Sequence, residues 1–239
     1  RASNPTTNRL GRGLSGCRVI AETISETTTL KTLSLQSCKI GNLGLAAIAT
    51  ALQTNRSIEF LNISDTNMPR PEGMPRAATE LGKMLEVNTD ILELQCHSVV
   101  FPGDSALALL GGGSFYKATG LRSNSALKVL NLSRNNLCRS HSANAALRDF
   151  LCSDTCFVEH LDLGYNHMDS IGVLVFSDGL IGNNSLRSLI LDGNELGVIG
   201  CRTLLSYRGR KTVIGGSTAG MSEVAKMRKP KSMLDVRKI

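Results

Sequence analysis

Apolar side chains fall on one template along most of the chain. Leu127, Leu130, Leu132, Asn135 and Leu137 stand at offsets 0, 3, 5, 8 and 10. Val158, Leu161, Leu163, Asn166 and Met168 repeat those offsets, as do Leu186, Leu189, Leu191, Asn194 and Leu196. Upstream, Leu30, Leu33, Leu35, Cys38 and Ile40 fit. Ile58, Leu61, Ile63, Thr66 and Met68 fit with a weaker ninth position, and Ile91, Leu94, Cys96, Val99 and Phe101 fit least well. The copies start at 30, 58, 91, 127, 158 and 186, spaced by 28, 33, 36, 31 and 28 residues.

Two hydrophobic periods alternate within each copy. Leu130 and Leu132 follow strand period, with both side chains on one face. Leu45, Ile48 and Leu52 follow helical spacing, and so do Cys17, Ile20 and Ile24 near the N-terminus and Cys201 and Leu204 near the end. Gly16, Gly44, Gly172 and Gly200 precede these helical stretches by the same step, where a side chain would crowd the turn. The predicted unit is strand, turn, helix. One strand cannot bury its leucines alone, so stacked copies build a parallel sheet in which each coil covers the next. Helices are wider than strands, which puts the strands on the concave side of a curved α/β solenoid.

The repeated L-x-x-L-x-L-x-x-[N/C]-x-L pattern resembles the leucine-rich repeat family, and the base period of 28 resembles its ribonuclease-inhibitor-like subtype. The resemblance implies a right-handed horseshoe with parallel strands on the concave face and helices on the convex face. It also implies that Asn135, Asn166 and Asn194 bond the backbone of the neighbouring turn and form a ladder; a buried amide is costly unless so paired. Thr66 and Val99 depart from that ladder, so the middle of the array is expected to be its least regular part.

The organisation read from these patterns has three parts. Residues 1–29 form a partial N-terminal repeat or cap, with Asn8 and Leu10 near ladder positions. Residues 30–207 hold six repeats, with loops inserted at 69–76 and 101–120, where Pro and Gly cluster. Residues 208–239 form a tail in which the period disappears. The chain begins at Arg1 rather than Met, which reads as a fragment or a processed product that has lost any targeting segment, an organellar import signal included.

Charge sharpens the division. The net charge is +7. Arg208, Arg210, Lys211, Lys226, Arg228, Lys229, Lys231, Arg237 and Lys238 face only Glu223 and Asp235 in the last segment, so the whole excess lies there and the body is balanced. No apolar run reaches the ~18 residues of a membrane helix, so no membrane partner is expected. The seven cysteines are odd in number and show no framework spacing, which favours a reducing compartment.

Candidate chemistry is sparse. The outward strand positions form a wide, mixed polar face: Phe60, Asn62, Glu93, Gln95, His97, Asn131, His160, Asp162, Ile190 and Asp192 are the candidate partner-binding residues. His97 and His160 stand two repeats apart, roughly 10 Å at ~4.8 Å per strand, too far for one small cation to bridge. Cys152 and Cys156 have only Cys138 and His141 nearby in sequence to complete a zinc site and read as ordinary thiols. The glycines at 111–113 lack the Lys-Ser/Thr ending of a phosphate loop. No catalytic residue, cofactor or metal is therefore expected. Lys226, Arg228, Lys229, Lys231, Arg237 and Lys238 form a basic cluster suited to an acidic protein surface or to RNA phosphates, without the interleaved aromatics of single-strand binders.

The expected function is a non-catalytic protein-interaction module, a scaffold subunit of a larger cytoplasmic assembly such as a cytoskeletal or ciliary one, docking by its concave face and its basic tail. The resemblance supports binding, since proteins of this subtype are mostly binders. Two alternatives stand beside it. One is a GTPase-activating or other small-GTPase regulator, because the Ran GTPase-activating protein carries such repeats. The other is a ribonucleoprotein subunit anchored by the tail.

Overall fold

The computed structural model describes residues 14–66, 74–101, 104–111, 120–206 and 213–215. Strands and helices alternate throughout: α1 (Leu14–Glu26), β1 (Thr32–Ser34), α2 (Gly41–Leu52), β2 (Phe60–Asn62), α3 (Met74–Val87), β3 (Glu93–Gln95), α4 (Asp104–Leu110), β4 (Val129–Asn131), α5 (His141–Leu151), β5 (His160–Asp162), α6 (Ser170–Gly182), β6 (Ser188–Ile190), α7 (Gly197–Ser206) and β7 (Val213–Gly215). The strands pair in sequence order, all parallel, in one sheet. This is the α/β leucine-rich-repeat solenoid that the spacing predicts.

Register follows from the template. Leu33, Leu61, Leu94, Leu130, Leu161, Leu189 and Ile214 lie side by side across the sheet. The internal five, Leu61 to Leu189, are at most 1% exposed, so the aliphatic spine is continuous. Burying one such leucine stabilises by about 1.5–3 kcal/mol. At the N-terminal end Leu30 and Leu33 are only partly buried. The helices stack in the same way, and the small residue at their start is set by the helix before it. A Cβ on Gly44 would lie 2.5 Å from the Sγ of Cys17. The crowding that excludes a side chain here comes from α1 and not, as expected, from the local turn.

Two ladders of buried asparagines tie the coils together. At the strand-to-helix turns, Asn135 and Leu137 donate their N–H groups to Asn166 Oδ1 at 3.0 and 3.1 Å, and Asn166 and Met168 donate theirs to Asn194 Oδ1 at 3.0 and 2.9 Å. The amides point the other way: Asn166 Nδ2 donates to Leu132 O at 2.8 Å and Asn194 Nδ2 to Leu163 O at 3.0 Å. This is the ladder expected from the resemblance. The second ladder runs along the helix C-termini and was absent from the sequence reading. Asn55 Nδ2 donates to Ile24 O and Thr27 O, Asn88 Nδ2 to Leu52 O and Asn55 O, and Asn124 Nδ2 to Leu85 O and Asn88 O, at 2.7–3.0 Å. Each Oδ1 then accepts the N–H groups two and three residues on, which starts the next strand.

Three expectations about boundaries are corrected. The segment 101–120, read as a loop inserted after a strand, contains α4, the helix of its own unit. Pro and Gly at its flanks outweighed the apolar stretch between them, yet Ala106, Ala108, Leu109 and Leu110 are fully buried. Met74–Arg76, the end of the expected 69–76 loop, opens α3. Beyond 207, where the period fades, β7 adds a seventh strand, because pairing to β6 needs backbone and not the leucine template. The expected partial repeat at Asn8 and Leu10 lies outside the described residues.

Candidate interaction surface

The pleat that buries the spine turns its neighbours outward, and the register aligns them in rows. Phe60, Glu93, Val129, His160 and Ser188 form one row. Asn62, Gln95, Asn131, Asp162 and Ile190 form the next. A third row, Ser64, His97, Ser133, Gly164 and Asp192, follows from backbone bonds between successive turns, such as Asp65 N–H to His97 O and Tyr165 N–H to Asp192 O. The predicted candidates are thus gathered on one face. His160 and Ile190 are exposed, while Phe60, Asn62, Glu93, Gln95, His97, Asn131, Asp162 and Asp192 are half-buried between neighbours.

Some of these side chains also serve the fold. Asn62, Asn131 and Asp162 each accept the N–H two residues ahead through Oδ1, at 2.9, 3.0 and 2.8 Å, and so shape the strand exit. Asn62 Nδ2 donates to Gln36 Oε1 at 3.2 Å, and His97 Nε2 lies 3.0 Å from Asp65 Oδ2. Gln95 Nε2 donates to Glu93 Oε1 at 2.9 Å. Burial, and then the charge of Asp192, pushes the Asp162 carboxyl up from its ordinary value; the Gly164 N–H, His97 and Arg134 oppose the shift.

Two features flank the rows and escaped the sequence reading. Along the strand entrances the unit's second position alternates in charge. Lys31 meets Glu59 at 2.6 Å, and Glu159 takes Arg187 at 2.7 Å and Lys128 at 3.9 Å. Lys128 also lies 5.1 Å over the ring of Phe157, which is 44% exposed. Along the strand exits Ser37, Asp65, Ser98, Arg134, Tyr165 and Gly193 all have φ between 53° and 65°. That conformation swings their side chains onto the rim, where Arg134 stacks 4.2 Å over the Tyr165 ring. A Cβ on Gly193 would lie 2.3 Å from the same ring, so only glycine fits beneath it. The signal for both features was a fixed offset within the repeat, which alternation alone does not single out.

The arrangement offers contacts rather than chemistry. Among the described residues no group of three or more His, Cys, Asp or Glu side chains is placed to hold a metal ion. All seven cysteines are free; Cys152 is exposed while Cys156 and Cys138 are buried. Burial pushes the Cys138 thiol up to about 12 and the Cys96 thiol further still. Among the described residues no helix is long and apolar enough to cross a membrane. The basic cluster Lys226, Arg228, Lys229, Lys231, Arg237 and Lys238 lies outside the described residues.

The leucine-rich repeat family matches residues 27–49, 156–177 and 182–205. No curated protein matches the chain in sequence. Among solved structures, the leiomodin-1 actin-binding site 2 shares 15% identity over 86% of this chain and 90% of that one, with a TM-score of 0.43. A tropomodulin C-terminal domain from Caenorhabditis elegans shares 11% identity over 83% of this chain and 92% of that one, with a TM-score of 0.45. Three segments match leucine-rich repeats, and the same strand–turn–helix unit is repeated between them in one parallel sheet.

Proposed function

We propose that the chain is a non-catalytic protein-binding module that docks a large partner on its strand-lined face, with the basic C-terminal segment as a second anchor. The observation that supports this is the register, which lines up the outward side chains of successive strands into one continuous face, mostly polar and interspersed with Phe60, Val129 and Ile190, with exposed His160, Ile190 and Tyr165 on it. A face of this kind gives many modest contacts, with aromatic and long side chains supplying anchor points. Two linked anchors raise the apparent affinity without strong single contacts. The 28-residue base period supports the ribonuclease-inhibitor-like subtype. We place the protein as a scaffold subunit of a cytoplasmic assembly, cytoskeletal or ciliary, with an acidic protein surface facing the segment Lys226–Lys231.

The test is co-purification of the native partner with three versions of the full chain. Glu93→Ala/His160→Ala/Ile190→Ala is expected to lose the partner. Lys226→Ala/Arg228→Ala/Lys229→Ala/Lys231→Ala is expected to weaken recovery in a salt-dependent way. Leu43→Ala, on the exposed side of α2, is expected to keep it. Full recovery with the first variant would remove the strand-lined face from the reading.

A further inference from the structure

Helix α6 is apolar on every side. Its sequence, SIGVLVFSDGLIG, carries one charge, Asp178. A helix of that composition is normally enclosed by protein. Val173, Phe176 and Ser177 are buried in the solenoid, yet the outer side is open: Ile171 is 54%, Leu174 47% and Ile181 45% exposed. α7 continues this side. Ser170 Cβ is 4.0 Å from where a Cβ on Gly197 would sit, and Val173 Cγ2 is 3.2 Å from the same point on Gly200, so the two helices lie level. One period of 28 residues carries Ile171 onto Ile199, which is 62% exposed, and Leu174 onto Arg202, which is exposed as well.

The outer sides of the other helices are built differently. α3 shows Arg76, Lys83 and Glu86 to solvent, and α5 shows His141 and Ser142. α2 exposes one large apolar residue, Leu43, at the place equivalent to Ile171. A single surface leucine needs no explanation, whereas apolar side chains grouped across two helices mark a contact surface. The two charges on this surface are opposite in sign and stand on different helices. Asp178 is seven residues along α6 from Ile171, about 10.5 Å at 1.5 Å per residue. Arg202 is one helix across, ~10 Å, and level with Leu174, which puts it about 11 Å from Ile171 as well. Asp178 lies in the field of Arg148, which is itself paired with Asp149 at 2.7 Å. Arg202 forms no ion pair among the described residues.

We propose that the outer side of α6 and α7 binds a second copy of this chain about a two-fold axis that passes over Ile171. A two-fold sets residue i against j and j against i. Asp178 and Arg202 are equally far from Ile171, so an axis through Ile171 that runs between them sets Asp178 of each copy against Arg202 of the other, twice. Ile171 meets its own counterpart on the axis, with Leu174 and Ile199 beside it. A surface that holds both the acid and the base at matched distances is complementary to itself, which singles out a second copy over a foreign partner. α6 and α7 are about 20 and 15 Å long, which gives a footprint of roughly 400 Å² on each copy, at the small end of specific interfaces. The dimer is therefore reversible. It leaves the strand-lined face of each copy free, so a dimer offers two docking faces to a repeating partner. The inference does not depend on the docking proposal.

Sedimentation of the full chain at about 1–200 µM tests this, because a small reversible interface assembles in that range. A monomer–dimer equilibrium is expected. Ile171→Glu is expected to raise its Kd about tenfold or more, since two carboxylates then meet on the axis. Asp178→Lys and Arg202→Asp are each expected to raise it by about tenfold, since each sets like charges face to face twice. Mixed in equal amounts, these two variants are expected to recover the parent's Kd within about threefold, because both ion pairs form again in the mixed dimer. Leu43→Glu, at the equivalent place on α2, is expected to match the parent. Thermal unfolding of each variant checks that the fold is intact. A chain that is monomeric at every concentration, an unchanged equilibrium in any of the first three variants, or no recovery in the mixture would overturn the two-fold contact. None of these measurements uses the strand-lined face, so the dimer and the docking surface fail separately.

Discussion

In the last three repeats the ninth position is Asn135, Asn166 and Asn194; in the first three it is Cys38, Thr66 and Val99. The later turns hang from one another through the ninth-position amides, and Val100 N–H of the third unit hangs on Asn135 Oδ1 in the same way, whereas the first two turns join through backbone bonds such as Ser37 N–H to Ser64 O and through other side chains such as Asn62 Nδ2 to Gln36 Oε1. Thr66 is fully buried, and its Oγ1 has no hydrogen-bond partner among the described residues. At the helix ends the balance is reversed. Asn55, Asn88 and Asn124 form an unbroken run there, and the fifth unit breaks it by placing Thr155 where an Asn would be. Thr155 Oγ1 and Ser153 Oγ both donate to Arg122 O, at 2.6 and 3.0 Å. Asn183 then restores the amide, donating to Leu151 O at 3.0 Å. The first half thus relies on side-chain amides at the helix ends, and the second half uses side chains on both margins of the sheet. A solenoid needs every buried backbone group paired, but not by the same device in every coil.

The largest test of this contrast is Asn166→Ala. It leaves Asn135 N–H and Leu137 N–H buried without their acceptor, while Leu132 O keeps Asn135 Nδ2, and at roughly 1–3 kcal/mol for each orphaned group the expected loss is about 2–5 kcal/mol in urea unfolding. Asn124→Ala, on the other margin, is expected to cost a similar ~3 kcal/mol or more, because it removes bonds to Leu85 O, Asn88 O and the N–H groups of Ala126 and Leu127. Thr155→Ala at the equivalent place should cost only about 1 kcal/mol, since Ser153 still reaches Arg122 O. If Asn124→Ala and Thr155→Ala unfold alike, the helix-end amides are not what holds the first half.

Thr66→Val is the opposite case. It removes a hydroxyl that makes no bond, so the unfolding free energy is expected to stay within about 0.5 kcal/mol of the parent or to rise. A loss as large as that of Asn166→Ala would show that the two ninth positions are equivalent after all.

The smallest effect concerns Asp162. Its folded pKa is raised, so the folded state holds the proton more tightly than the unfolded chain does. The contribution of this group to stability therefore falls as pH rises from the ordinary carboxylate value through the raised one. Asp162→Asn keeps the Oδ1 that accepts from Gly164 and removes the charge. It is expected to melt slightly higher than the parent at pH 7, with the gap closing as pH drops below about 3.9. A gap that widens on acidification would contradict burial and Asp192 as the cause.

The repeat, the buried spine and the turn ladder were legible because each depends on side chains at fixed offsets: Leu130, Leu161 and Leu189 declare the register, and Asn135, Asn166 and Asn194 declare the turn. The candidate face was legible for the same reason, as Glu93, His97, His160 and Ile190 are the residues left over by the spine. The helix-end ladder was equally periodic, with Asn55, Asn88, Asn124 and Asn183 each three residues before a repeat start, but an isolated Asn at a helix end reads as an ordinary turn residue. α4 was hidden by the glycines around it, and β7 by the loss of leucine at all but Ile214.

The amino-acid sequence by itself determined that this chain is a stack of equivalent coils, because the aliphatic side chains that form the spine recur at the strand and helix periods and have no other way to leave water. Tertiary structure alone decided which helix excludes a side chain at Gly44, which carbonyl each buried Asn reaches, how Arg134 and Tyr165 meet on the rim, and that β7 pairs with β6 beyond the leucine template. Those contacts join residues about one repeat apart, so they depend on the exact coil-to-coil distance, which no single copy of the repeat specifies.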